Sequence, residues 1–179
     1  MYSTMFKKLR QAQKGFTLVE ILIVVALIAI LAVIALITIN PAEAQKRARD
    51  AQRLKEMGVM QGIVEQYITD NIGTISAMSA VSTGGTNGCT TAGWAGLNLC
   101  KYANTISQDP VNRSGEYTLT DGVVTTGTIG YQIQIDSNLR YRICSRMESA
   151  ANAAKLTSDG IANNYFEVYS STAAPACSF

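Results

Sequence analysis

Between Phe16 and Ile39 the chain runs for 24 residues with one charge, Glu20, and every other position is apolar or threonine. At about 1.5 Å per residue a helix of that length reaches roughly 36 Å, more than a bilayer core of about 30 Å. The pattern predicts a membrane-spanning helix over 16–39, preceded by the cations Lys7, Lys8, Arg10 and Lys14. Asn40-Pro41-Ala42-Glu43 then reads as a cap, a first-turn proline and a first-turn acid, so a second helical stretch starts there. Along it Ala51, Leu54, Met57, Met60 or Gln61, Val64 and Ile68 recur at spacings of three and four, an amphipathic stripe. Lys46, Arg47, Arg49, Asp50, Arg53 and Lys55 crowd its first turns and predict a wet first half. Asp70-Asn71-Ile72-Gly73 supplies the stop.

From Asn71 to Gln108 the only charge is Lys101, which predicts a long polar connection, helical in part. Asp109-Pro110-Val111-Asn112 is a turn ahead of strands. Strands are expected over 117–120, over 130–135 with Tyr131, Ile133 and Ile135 on one face, over 139–144 with Leu139, Tyr141 and Ile143 inward, and over 165–169. Asp136-Ser137-Asn138 makes the hairpin turn, and 148–156 suits a short helix. The resulting fold class is α+β: a long N-terminal α-helix, membrane half followed by amphipathic half, packed on a small antiparallel β-sheet.

Glu20 is the position this scheme does not absorb. A carboxylate at the centre of a membrane helix costs about 2.5 to 3.5 kcal/mol. Placed about one turn from the start of the apolar run, it costs less. Were the chain cut before Phe16, it would face the positive end of the helix dipole and a new α-amino group.

Gly15-Phe16-Thr17-Leu18-Val19-Glu20, behind a short cationic leader and ahead of an apolar helix, resembles the processing motif of bacterial type IV pilins and pseudopilins. The resemblance implies that a prepilin peptidase cuts between Gly15 and Phe16 and methylates the Phe16 amine. It also implies that Glu20 pairs with the terminal amine of a neighbouring subunit. The organisation expected is a leader over 1–15, a transmembrane and assembly helix over 16–39, an amphipathic half-helix over 40–72 and a pilin-like head over 73–179. Implied partners are copies of the chain, the peptidase, an inner-membrane assembly platform and, before assembly, lipid. The precursor would sit in the cytoplasmic membrane with its head outside and then join an extracellular or envelope-spanning filament. Two competing readings are a plain signal anchor and a secretory signal peptide ending at Ala42-Glu43-Ala44, with Gln45 as the mature terminus. The apolar run exceeds the roughly 7 to 15 residues of a signal-peptide core, and neither explains Glu20.

Composition narrows the chemistry. The 179 residues carry a net charge of +2, which becomes −2 without the four leader cations, so total charge does not call for nucleic acid. Positive charges flank the apolar run on both sides. Orientation therefore rests on the cysteines and the resemblance. Cys89, Cys100, Cys144 and Cys177 all follow the apolar run, and an even number in an exported head reads as disulfides. Four cysteines permit three pairings. The pairing favoured is Cys89 with Cys100 and Cys144 with Cys177, the second resembling the disulfide-bounded C-terminal region of many pilins.

With no histidine, no Ser-His-Asp or Cys-His arrangement can form and a structural zinc site is disfavoured. No enzyme activity and no cofactor are expected. Asp121, Asp136 and Asp159 are the oxygen donors available to calcium, without a loop signature. Arg140, Arg142 and Arg146 suggest either a solvated strand face or a strip for DNA phosphates. The function expected is a structural pilus-like subunit. The alternatives are a type II secretion or competence pseudopilin and, in another class, a membrane-anchored exported binding domain.

Overall fold

A computed structural model describes residues 15–162 and 164–179, so the cationic part of the expected leader lies outside the described residues. The chain divides after Pro41 into an N-terminal unit and a head, Ala42–Phe179. In the N-terminal unit α1, Leu18–Ile39, is a 22-residue helix with none of its residues buried. Its length and composition suffice to cross a membrane. It ends at Asn40, whose φ of 45° and ψ of 79° place it in the left-handed region that asparagine tolerates.

The second helix, α2, is Pro41–Asp70 and belongs to the head from Ala42 onward. Six strands follow: β1 Met78–Val81, β2 Arg113–Thr118, β3 Val124–Ile129, β4 Tyr131–Ile135, β5 Tyr141–Ser145 and β6 Phe166–Tyr169. One antiparallel sheet has the order β1-β4-β5-β6, and β2 with β3 forms a separate antiparallel ribbon. Register aligns Ala80, Ile133, Ile143 and Val168 across the larger sheet. Met57, Met60 and Val64 of α2 join Tyr131, Ile133, Ile135, Tyr141 and Ile143 in one core with Trp94, Leu99 and Ile106. The expected α+β arrangement of a long N-terminal helix and a small antiparallel sheet is therefore the arrangement found.

Several details differ from the sequence pattern for identifiable reasons. The buried stripe of α2 is Asp50, Arg53, Met57, Met60 and Val64, one residue earlier at its start than the apolar letters suggested, and Ala51 is exposed. A buried ion pair occupies the positions an apolar pattern would fill. β1 arises inside the expected polar connection and β3 in a stretch with no expected element, because Met78-Ser79-Ala80-Val81 and the threonine-rich 124–129 lack the apolar alternation that marks a strand. Leu139 belongs to the turn, at φ 60°, and β5 begins at Tyr141. The expected short helix is a 3-10 helix, Ala150–Thr157, capped by the Ser149 hydroxyl.

All five positions of both β4 and β5 are buried, although their residues alternate apolar and polar. The apolar face meets α2. The polar face is covered by the C-terminal segment, with Gln132 accepting from Ser178 N at 3.0 Å and Gln134 donating to Ser178 Oγ at 3.1 Å.

Candidate processing and assembly site

Thr17 has φ −79° and ψ 151° and caps α1. Its Oγ1 accepts from the Glu20 amide at 3.2 Å, while its own amide donates to Glu20 Oε2 at 3.4 Å, a reciprocal pair that satisfies two helix-start donors. The first intrahelical bond runs from the Ile21 amide to the Thr17 carbonyl at 3.3 Å. Gly15 and Phe16 stay outside the helix, and Phe16 is 79% exposed. Phe16 and Glu20 therefore stand on either side of one cap, with the Glu20 carboxylate turned toward the backbone that follows Phe16. The role of Glu20 as this cap's acidic partner was not foreseen, although Thr17 three residues before Glu20 and an apolar run is the capping-box signature.

In the head, Cys89 is bonded to Cys100 and Cys144 to Cys177. The first closes a loop around the buried Trp94, whose Nε1 donates to Ser107 O at 3.1 Å. The second holds the C-terminal segment on the polar face of β5.

The arginine strip is corrected. Arg142 is fully buried, donating to Glu167 Oε2 at 2.5 Å and to the carbonyls of Thr172 and Ala174, each at 3.2 Å. Arg146 is buried against the rings of Tyr117, Tyr165 and Phe179, with its guanidinium carbon 4.4 to 5.6 Å from their centroids. Arg140 is bound to Asp136 at 2.6 Å. No continuous solvated or phosphate-binding strip forms, because Asp136 of the β4–β5 turn pairs with Arg140, Glu167 of β6 pairs with Arg142, and aromatic rings with the Thr128 and Phe179 carbonyls hold Arg146. The aspartates considered for calcium are each engaged locally: Asp121 with the Val123 amide, Asp136 with Arg140, Asp159 with the Glu167 amide.

The wet first half expected of α2 holds at most of its positions and is corrected at two, Asp50 and Arg53, which are buried. Arg53 is fully buried and grips Asp109 through Nε at 2.6 Å and Nη2 at 2.9 Å, while Nη1 reaches Asp50 and Glu148, both at 2.8 Å. Asp50 accepts from the amides of Glu148 and Ser149 and from Asn152 Nδ2. Arg49 meets Glu148 through two bonds at 2.7 and 3.0 Å. Burial works to raise the Glu148 carboxyl, but the bonds from Arg49 and Arg53 outweigh it and hold the group below the usual range. Burial works against the Arg53 charge, yet Asp109 and Glu148 leave it more strongly protonated than an ordinary arginine. The cluster joins α2, the Asp109-Pro110 turn and the segment after β5. The missed signal was heptad spacing, since Asp50 and Arg53 precede Met57, Met60 and Val64 at intervals of three and four.

No curated protein and no solved structure matches the chain. Residues 10–36 match the prokaryotic N-terminal methylation motif, the stretch that contains Gly15, Phe16, Thr17 and Glu20 and most of α1. That motif is the class III signal peptide of type IV pilins. Together with an exposed apolar helix and a head built on a four-stranded antiparallel sheet, the match supports a type IV pilin-like or pseudopilin precursor.

Proposed function

We propose that the chain is the structural subunit of a type IV pilus-like filament. A prepilin peptidase cuts between Gly15 and Phe16 and methylates the Phe16 amine. The subunit waits in the cytoplasmic membrane as a single-pass protein with its disulfide-bonded head outside. An assembly platform then draws it into a filament, where α1 buries its surface against copies of itself. The carrying observation is that the methylation-motif match coincides with a capped 22-residue apolar helix of which no residue is buried by the rest of the chain. Apolar area is worth about 25 cal/mol per Å² removed from water, so a helix leaving lipid must be covered. Glu20 and the Phe16 amine of adjacent subunits would set axial register. The role is structural, without catalysis or cofactor.

Mass and sequence of the mature amino terminus test this reading. Methyl-Phe16 supports it, whereas Gln45 indicates secretion and Met1 a mere anchor. A short envelope-spanning filament in place of a surface pilus would assign the chain to a type II secretion or competence pseudopilus. A processed chain that forms no polymer would leave a membrane-anchored exported binding domain.

A further inference from the structure

We infer that Thr17 is a positioning residue for the cleavage itself: its hydroxyl ends α1 at Leu18 and so keeps the Gly15–Phe16 peptide bond out of the helix. The inference rests on cleavage after Gly15 and assigns Thr17 a part in it. Two independent observations meet on these residues, the hydrogen-bonded cap and the methylation-motif match.

The competition is between two acceptors for one donor. For α1 to grow backward by one residue, the Glu20 amide must bond the Phe16 carbonyl; for two residues, the Val19 amide must bond the Gly15 carbonyl. That second carbonyl belongs to the scissile bond. In the structure the Glu20 amide is already taken by Thr17 Oγ1, and the Thr17 amide, which further growth would need, is taken by Glu20 Oε2. The donor that the first backward step toward the cleavage site requires, the Glu20 amide, is therefore satisfied by a side chain.

Hydrolysis adds one water across the amide, breaks its C–N bond, and leaves a carboxylate on Gly15 and an amine on Phe16. A peptidase must reach the Gly15 carbonyl from the side, which a helical bond donated to that carbonyl and the surrounding turn of side chains obstruct. A long apolar helix in lipid has a strong tendency to extend, since unpaired backbone groups are costly there. The cap opposes that tendency at the position where the enzyme acts.

The test uses the full-length precursor in membranes with active prepilin peptidase. Thr17→Val keeps the size and removes the acceptor, and it should slow release of the leader about three- to tenfold, as loss of a typical N-cap predicts. Thr17→Ser and Thr17→Asn, both good caps of different shape, should cleave within about twofold of the parent. In micelles the Gly15 and Phe16 Cα shifts of the valine variant should move toward helical values, with membrane insertion unchanged. Parent-like cleavage of Thr17→Val overturns the inference, as do unchanged Cα shifts. Serine and asparagine variants as slow as valine also overturn it, by showing that the enzyme reads threonine directly. If the parent precursor itself never yields a Phe16 terminus, the underlying cleavage reading fails instead.

Discussion

Arg53 holds Asp109 side-on, with Nε 2.6 Å from Oδ2 and Nη2 2.9 Å from Oδ1, and both side chains have no solvent exposure. Asp109 Oδ1 also accepts from the amides of Val111 and Asn112, so a single carboxylate shapes the turn after Pro110 and fastens it to α2. A buried pair of this kind need not add net stability over apolar residues, but leaving one member alone is expensive.

Asp109→Ala should therefore destabilise the head by about 3 to 5 kcal/mol, because Arg53 keeps its charge with one fewer counter-ion and two amides lose their acceptor. Arg53→Met should cost a similar amount. The double change Arg53→Met with Asp109→Leu should lose less than the sum of its singles, which thermal melts of the detergent-solubilised chain would measure.

The acid dependence of stability should come from two carboxyls with opposite signs. Glu148 has a depressed value in the folded head, so its contribution is complete above the ordinary glutamate value of about 4.3 and is lost as pH falls through the folded value. The stability gap between the parent and Glu148→Gln should narrow as pH drops below that point. Asp159 runs the other way: burial, foremost, pushes it up, and its Oδ1 is buried without a partner among the described residues. Its ionised form is penalised at neutral pH. Asp159→Asn should raise the melting temperature at pH 7, a gain that shrinks as pH falls through the raised folded value and is gone below the ordinary aspartate value of about 3.9.

The two disulfides should differ in worth. Chain-entropy arguments give about 4 kcal/mol for Cys144–Cys177, which spans 33 residues, and about 3 kcal/mol for Cys89–Cys100, which spans 11. Replacing Cys144 and Cys177 by alanine should be the more damaging pair change, because it also releases the segment that covers Arg142 and Gln132. Urea titration of each double variant would rank them.

Glu20→Ala should leave the protein inserted and processed yet poorly assembled, whereas Glu20→Gln should keep the cap's acceptor and lose only the charge. Filament yield beside leader cleavage separates the two functions. Normal filament yield from Glu20→Ala would remove the register role.

Much of the fold could be read from periodicity wherever one element's burial follows its own letters. The apolar run, the Asn40-Pro41 break, the Asp70-to-Gly73 stop and the alternation around Ile133 and Ile143 are local patterns, and each element appears close to its expected place. β1 was hidden because Met78 to Val81 becomes a strand only when β4 offers its edge. The fate of charged residues was hidden for a related reason. Arg142 and Arg53 look solvated in sequence, and what buries them are Glu167, 25 residues away, and Asp109, 56 residues away.

The sequence by itself determined the processing motif and the membrane-length helix, because each depends on contacts within about one helical turn or on the solvent that a run of apolar letters demands. Only the tertiary structure decided what covers each side of the sheet, which charges enter the interior and which stretch of loop becomes a strand. Those outcomes depend on groups distant along the chain meeting at bonding distance, and hydropathy patterns carry no record of such meetings.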